Sequence, residues 1–334
     1  MLHSLRFILP VAASLMLTAC SDSDDPDPTP SYPGADKFYD GKPGMKIIGV
    51  LEVNDTNPLN CLGFTLEEDG KQLFDMVVLF AANINLNEEG KPYVSCNENV
   101  QALLDGREKY LQPLQERGTK VILGILGNHD PAGISTLDAA TSAEFAADVK
   151  RICDRYQLDG VFLDDEYTDY TAAASGKYPG IVKASYENAS RLAYEIRQAQ
   201  PDRLIISYRY RNLTKAVEVE GMQPGEIFDY VVNDYWATAD PVKSYPGLRQ
   251  DQAGIGSWNC SDWSNCLPSN SRWSRLFSLS GMRDSGYGAL MIFNFRCQSD
   301  YPLTENILTD LGEVCRTFWN STLHYDGLWY DKDY

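Results

Sequence analysis

The chain has 334 residues, 43% of them hydrophobic, enough for one large domain with a sizeable core. Its 47 acidic against 29 basic residues leave a formal net charge of -18. That balance argues against nucleic acid and anionic membrane surfaces as partners and suits a neutral ligand such as a glycan.

Residues 1–19 read as a lipoprotein signal peptide. His3 and Arg6 give a weakly positive start, Phe7 to Leu17 an apolar core too short for a comfortable membrane span, and Leu17-Thr18-Ala19-Cys20 a lipobox-like end. Cleavage before Cys20 and lipidation of that cysteine are expected. Residues 20–43 form an acidic, Pro-rich tether that cannot bury a core. Acidic residues directly after the lipidated cysteine resemble the surface-export signal of lipoproteins in the Bacteroides group. The expectation is an exported lipoprotein of the outer membrane, held at the cell surface, with the lipid anchor as its only membrane contact. Seven cysteines remain after Cys20, an odd number that leaves at least one thiol unpaired within the chain. Cys260 and Cys266 are close enough to close a small loop, Cys61 and Cys96 fall in loops leaving one rim, and no Cys/His spacing suggests zinc.

Residues 44–334 alternate strand-like and helix-like stretches, the pattern of a parallel α/β domain. Strands are predicted at 46–53, 74–83, 120–127, 160–166, 204–210, 230–234, 254–258 and 289–295, and helices at 100–117, 142–156, 185–199 and 305–319. Between Arg211 and Ser257 helical periodicity is weak, so the expected fold is an α/β (β/α)8 TIM barrel, irregular in its second half with missing or shortened helices. The chain has neither a G-x-G-x-x-G nor a Walker lysine, which favours a closed barrel over a nucleotide-binding sheet.

The predicted strand ends carry polar residues that a barrel would gather at one rim. They include Glu52 and Asn54, Asn83 and Asn85, Asn128 and His129, Asn233-Asp234-Tyr235-Trp236, and Asn294. Asn83 and Asn128 read equally as substrate donors or turn formers, and His129 as a loop residue positioning a neighbour. Asp55 and Asn57 read as turn chemistry before Pro58. Trp236, Trp258 and Trp263 suit either sugar stacking or core packing.

The fourth strand is the most informative. Val161, Phe162 and Leu163 want burial in an extended chain, and three acids follow, Asp164, Asp165 and Glu166, then Tyr167. Asp164 and Glu166, two apart, share a face, while Asp165 points the other way. An acidic helix N-cap is the plainer alternative. A calcium loop lacks its glycine and spacing here.

Asp159 to Glu166 resembles the D-G-x-x-x-D-x-E signature of glycoside hydrolase family 18. LDGVFLDDEY, Leu158 to Tyr167, resembles its endo-β-N-acetylglucosaminidases of the endoglycosidase H and F type, as do Phe80 to Asn85, Asn97 to Gln101 and Leu126 to His129. The chain departs from many members at Phe162, where they carry an aspartate that exchanges a proton with the next acid. The resemblance implies a retaining, substrate-assisted hydrolysis of the GlcNAc-β1,4-GlcNAc core bond of N-linked glycans, outside the two-carboxylate scheme. On it, Glu166 is the acid and base, Asp164 holds the acetamido N–H, and Tyr235 contacts the acetamido oxygen. Like charge from Asp164 and partial desolvation should raise the Glu166 pKa. Candidate substrate-binding residues are Asn83, Asn128, His129, Tyr167, Asn233, Trp236 and Asn294. No metal or organic cofactor is called for. The partners implied are an N-glycan or glycoprotein and, at the cell surface, glycan-import proteins. The alternatives are a catalytically silent glycan-binding barrel, which the intact Glu166 disfavours, and a chitinase, which LDGVFLDDEY disfavours.

Overall fold

A computed structural model describes residues 42–234, 237, 239–260, 278–297 and 303–334. Eight parallel strands form the frame: β1 Lys46–Glu52, β2 Met76–Leu86, β3 Lys120–Leu126, β4 Gly160–Leu163, β5 Leu204–Arg209, β6 Tyr230–Asn233, β7 in two pieces, Ala253–Gly254 and Ser257–Asn259, and β8 Ala289–Phe293. Each pairs with the next, and β1 also pairs with β8, Lys46 lying opposite Ala289. The first piece of β7 pairs with β6 and the second with β8, so the chain itself closes the ring at Ile255 and Gly256. The predicted barrel is the observed fold. The one strand expected at 254–258 is split, because its two halves bond different neighbours.

Period-two alternation along the strands sorts apolar side chains into two cores. Ile48, Val50, Met76, Val78, Phe162 and Ile206 fill the barrel. Ile47, Leu51, Val77, Leu79, Val121 and Leu123 face the surrounding helices. Among those helices, Ala139–Tyr156 starts at Asp138, whose carboxylate accepts from the Thr141 N–H. Tyr186–Ala199 starts at Ser185, which caps Asn188, and Glu305–Trp319 starts at Thr304 and ends in a left-handed Asn320. All three follow the sequence expectation. The continuous helix expected over 100–117 is corrected to three short pieces, Glu98–Asp105, Arg107–Tyr110 and Gln112–Glu116. Gly106 and Pro113 explain the breaks: the glycine sits against the Tyr110 ring, and the proline begins a new turn because it has no N–H to continue the old one.

Between Leu204 and Glu305 the only helices among the described residues are Pro224–Ile227, Leu279–Asp284 and single 3-10 turns. A buried polar network braces that side. Arg197 donates to the carbonyls of Ile227, Pro201 and Arg203 and pairs with Asp229 at 2.6 Å, and Asp229 also accepts from the Ile205 N–H. Enclosed charges are tolerable here because the guanidinium donors of Arg197 are all used and Asp229 accepts two bonds. Sequence patterning did not reveal two antiparallel additions: Pro92–Ser95 against the end of β2, and Phe64–Leu66 against Leu323–Tyr325. The C-terminal segment then reaches the rim, where the Tyr334 hydroxyl donates to the carbonyls of Val53 and Thr56. Cys61 and Cys96 are both free thiols, which corrects their expected pairing. Cys260 is disulfide-bonded, and Cys266 lies outside the described residues.

Candidate active site

Strand β4 ends at Leu163, yet its pairing with β3 continues. The Asp164 N–H donates to Ile125 at 3.0 Å and the Gly127 N–H donates to the Glu166 carbonyl at 2.9 Å. The second bond falls two residues beyond the in-register partner, a whole side-chain period, and Asp164 and Glu166 both turn into the barrel while Asp165 turns away from it. Gly127 is required, since any β-carbon there would strike the Glu166 carbonyl. At Tyr167 the backbone turns with a φ of 56°, and its carbonyl accepts from the N–H of His129, which is also left-handed.

Asp165 is a brace. It is fully buried, and its carboxylate accepts from the Ser135 hydroxyl and from both the backbone and side-chain N–H groups of Asn212. Its carbonyl accepts from the Tyr170 hydroxyl at 2.7 Å. The middle acid thus ties the end of β4 to the loops after β3 and β5. The N-cap alternative fails for these acids, since Asp169 caps the following turn.

Asp164 and Glu166 line a pocket of about 190 Å³ at the barrel mouth. Its floor is aromatic: Phe80 meets Phe162 and Phe293 edge-on, and Phe162 stacks on Tyr208. Glu52 and Tyr167 complete the polar wall. Phe162 belongs to that floor, so no carboxylate lies beneath Asp164 on β4 to take its proton.

The pocket carboxyls share a strained electrostatic setting. Complete burial, then the charges of Glu166, Asp165 and Asp234, push Asp164 well above the usual carboxylate range. Its Oδ1 is buried and has no hydrogen-bond partner among the described residues. Glu166 is also raised, first by burial and then by Asp234, while Arg211 and a hydrogen bond from Tyr210 pull it back. The expected like-charge coupling between Asp164 and Glu166 is present, and Asp234 adds to it at both groups. Asp234 is itself held by the Tyr208 hydroxyl at 2.9 Å.

The other candidates separate clearly. Tyr167 is exposed at the pocket wall, with the exposed His129 ring edge-on to it at 5.6 Å. Asn128 is exposed beside them and donates to Asn85. Asn83 donates to the Gly127 carbonyl and so positions the end of β3. Asn294 is buried and orients Arg296, which pairs with Asp55 at 2.7 Å. Asn57 caps the Pro58–Gly63 turn as expected, and Trp258 is core. Asn233 is a correction. It is fully buried on the outward face of β6, accepts from Arg209, and donates to the carbonyls of Ala239 and Ile255, leaving nothing for a substrate. Asn233→Ala is expected to lower stability by about 1–3 kcal/mol without altering KM, measured by denaturant melts alongside kinetics. A selective rise in KM would return it to the site. Tyr235, Trp236, Trp263 and Cys20 lie outside the described residues.

Sequence reading passed over Tyr208 and Arg211 and gave Glu52 and Asp234 no role. The signal was present for two of them: Glu52 continues Ile48 and Val50 at period two, and Tyr208 continues Leu204 and Ile206. Arg211, at a φ of 46° and packed over the Tyr170 and Tyr210 rings, had no such signal.

No family model matches the chain. It is 41% identical over 295 residues, 88% of its length and 84% of the relative's, to endo-beta-N-acetylglucosaminidase F1 of Elizabethkingia meningoseptica. It is 34% identical over 255 residues, 76% of each chain, to an endo-beta-N-acetylglucosaminidase of Flavobacterium sp. (strain SK1022). Among solved structures it is similar to EndoBT-3987 of Bacteroides thetaiotamicron in complex with Man9GlcNAc2Asn substrate, with 35% identity, a TM-score of 0.74 and coverage of 90% of this chain and 72% of that one.

Proposed function

Because the chain belongs to the endo-β-N-acetylglucosaminidases of glycoside hydrolase family 18, we propose that it cuts the bond between the two core GlcNAc residues of N-linked glycans with retention of configuration. The observation that carries the mechanism is the unpartnered Oδ1 of Asp164 beside Glu166 in a one-sugar pocket. An acetamido N–H is the donor that this oxygen lacks.

In the free enzyme, burial and the neighbouring charges of Glu166, Asp165 and Asp234 favour the protonated form of Asp164. When the substrate N–H donates to Asp164, the carboxylate form becomes favourable and the proton passes to Glu166. Glu166 gives it to the leaving oxygen as the acetamido oxygen attacks the anomeric carbon. The glycosidic bond breaks, an oxazolinium forms, and anionic Asp164 stabilises its positive charge. Glu166, now a carboxylate, deprotonates the incoming water, which opens the ring. The proton then returns to Asp164.

Mass spectrometry of glycoproteins treated with the soluble domain tests this reading, with Man9GlcNAc2-bearing peptides first because the similar EndoBT-3987 is bound to Man9GlcNAc2Asn. Peptides should keep a single GlcNAc. Glycan binding without any cleavage would leave a capture protein instead. The pH profile gives a second check. Asp234 opposes ionisation of Glu166, so Asp234→Asn should ease proton loss and move the basic limb of kcat/KM to lower pH. A limb that stays put or rises would remove Asp234 from the electrostatics.

The N-terminal segment supports a place for the activity. Lipidation at Cys20, following Leu17-Thr18-Ala19, and the acidic tether would present the barrel from the outer membrane at the cell surface, beside glycan-import proteins. Palmitate labelling that is abolished by Cys20→Ala would support this.

A further inference from the structure

One pocket carboxyl has no part in the chemistry above. Glu52 is the third inward residue of β1, after Ile48 and Val50, and lines the same pocket as Asp164 and Glu166. Strand β1 stands three places from β4 in the ring, so Glu52 faces the pocket from a different wall. Its carboxyl makes no hydrogen bond to a described residue. Burial and then Asp55 raise its pKa, with Arg296 opposing. Arg296 spends hydrogen bonds on Asp55 and Asn294 instead.

Carboxylates enclosed elsewhere in the barrel have protein partners: Asp75 has the Ile47 N–H and Lys42, Asp165 has Ser135 and Asn212, and Asp229 has Arg197 and the Ile205 N–H. Two carboxyls with an acceptor to spare, Asp164 through its Oδ1 and Glu52, stand on separate walls of one cavity of about 190 Å³. A half-buried acceptor without a donor is costly unless a ligand brings one. A pyranose in this cavity offers ring hydroxyls as donors and an apolar face to the aromatic floor.

We infer that Glu52 is a substrate-recognition residue, accepting a hydrogen bond from a ring hydroxyl of the same N-acetylhexosamine whose acetamido group Asp164 holds. The inference rests on the endoglycosidase reading. It adds a second anchor that fixes the sugar's rotation about the Asp164 contact, so that the anomeric carbon is presented to Glu166.

The test is calorimetric titration with N-acetylglucosamine thiazoline, a neutral mimic of the bicyclic intermediate, and with its mono-deoxy derivatives, on the wild type, Glu52→Gln and Glu52→Leu. A lost hydrogen bond to a charged group should weaken thiazoline binding to Glu52→Leu about 10- to 100-fold. Glu52→Gln, nearly isosteric and still an acceptor, should lose less and guards against misfolding. One deoxy derivative should bind the wild type as weakly as the parent binds Glu52→Leu, with no further loss when the two are combined. Thiazoline affinity within twofold of wild type for Glu52→Leu would overturn the role, as would losses that add for every deoxy derivative. Failure of the underlying reading looks different: the wild type itself would neither bind thiazoline nor release glycan.

Discussion

Glu166→Gln is expected to lower kcat on an N-glycosylated peptide by about 10²–10⁴-fold, the range a positioned general acid contributes. The glutamine keeps the size of the side chain and loses the proton. That proton reaches the leaving oxygen only in the transition state, so kcat and kcat/KM should fall together while KM hardly moves. Little fold stability is at stake, because Glu166 is half-buried at the pocket mouth and its hydrogen bond from Tyr210 can pass to the amide oxygen. Single-turnover assays by mass spectrometry would measure it. A variant within tenfold of wild type would show that another group delivers the proton, and the assignment of Glu166 would fall.

Asp164→Ala should also cripple the enzyme, lowering kcat by about 10²–10³-fold, as loss of one preorganised transition-state partner does. Its effect on stability should run the other way. Asp164 is buried with one oxygen unpaired, and the fold raises its pKa well above the ordinary value. The folded form therefore binds the proton more tightly than the unfolded chain. By linkage, stability is lost as pH rises from the ordinary carboxylate value towards the raised one. The alanine variant escapes that loss. Its melting temperature should exceed the wild type's near neutral pH, and the gap should close as pH falls to where unfolded aspartates protonate. A gap that widens on acidification would mean Asp164 is ionised in the fold. Function and stability conflict at this residue, as they do where an active site holds an unsatisfied group for its substrate.

How much of this was legible in the sequence depends on which forces act over short range. The strands were readable because strands covered on both faces become short, β-branched apolar runs, as in Lys46–Glu52 and Lys120–Leu126, whereas the helix expected from Ser142 starts at Ala139, behind its cap Asp138. The inward turn of Asp164 and Glu166 followed from period-two alternation. What escaped depends on partners distant in the chain. Asn233 looked like a rim donor until Arg209, Ala239 and Ile255 proved to use its whole amide. The charge that Asp234, just beyond β6, adds at both Asp164 and Glu166 is likewise invisible to spacing within one motif.

The double pairing of β1 sets an order of events. One edge of the strand meets β2 soon after both leave the ribosome, but the other waits for β8, Ala289–Phe293, near the end of synthesis. Until then KIIGVLE presents an open edge with apolar residues on both faces, the kind of segment that captures stray strands. The wall bearing Glu52 is likewise finished only when β8 docks. A truncated or half-folded chain therefore has no assembled pocket, and hydrolytic activity counts only those molecules in which the last strand has found the first.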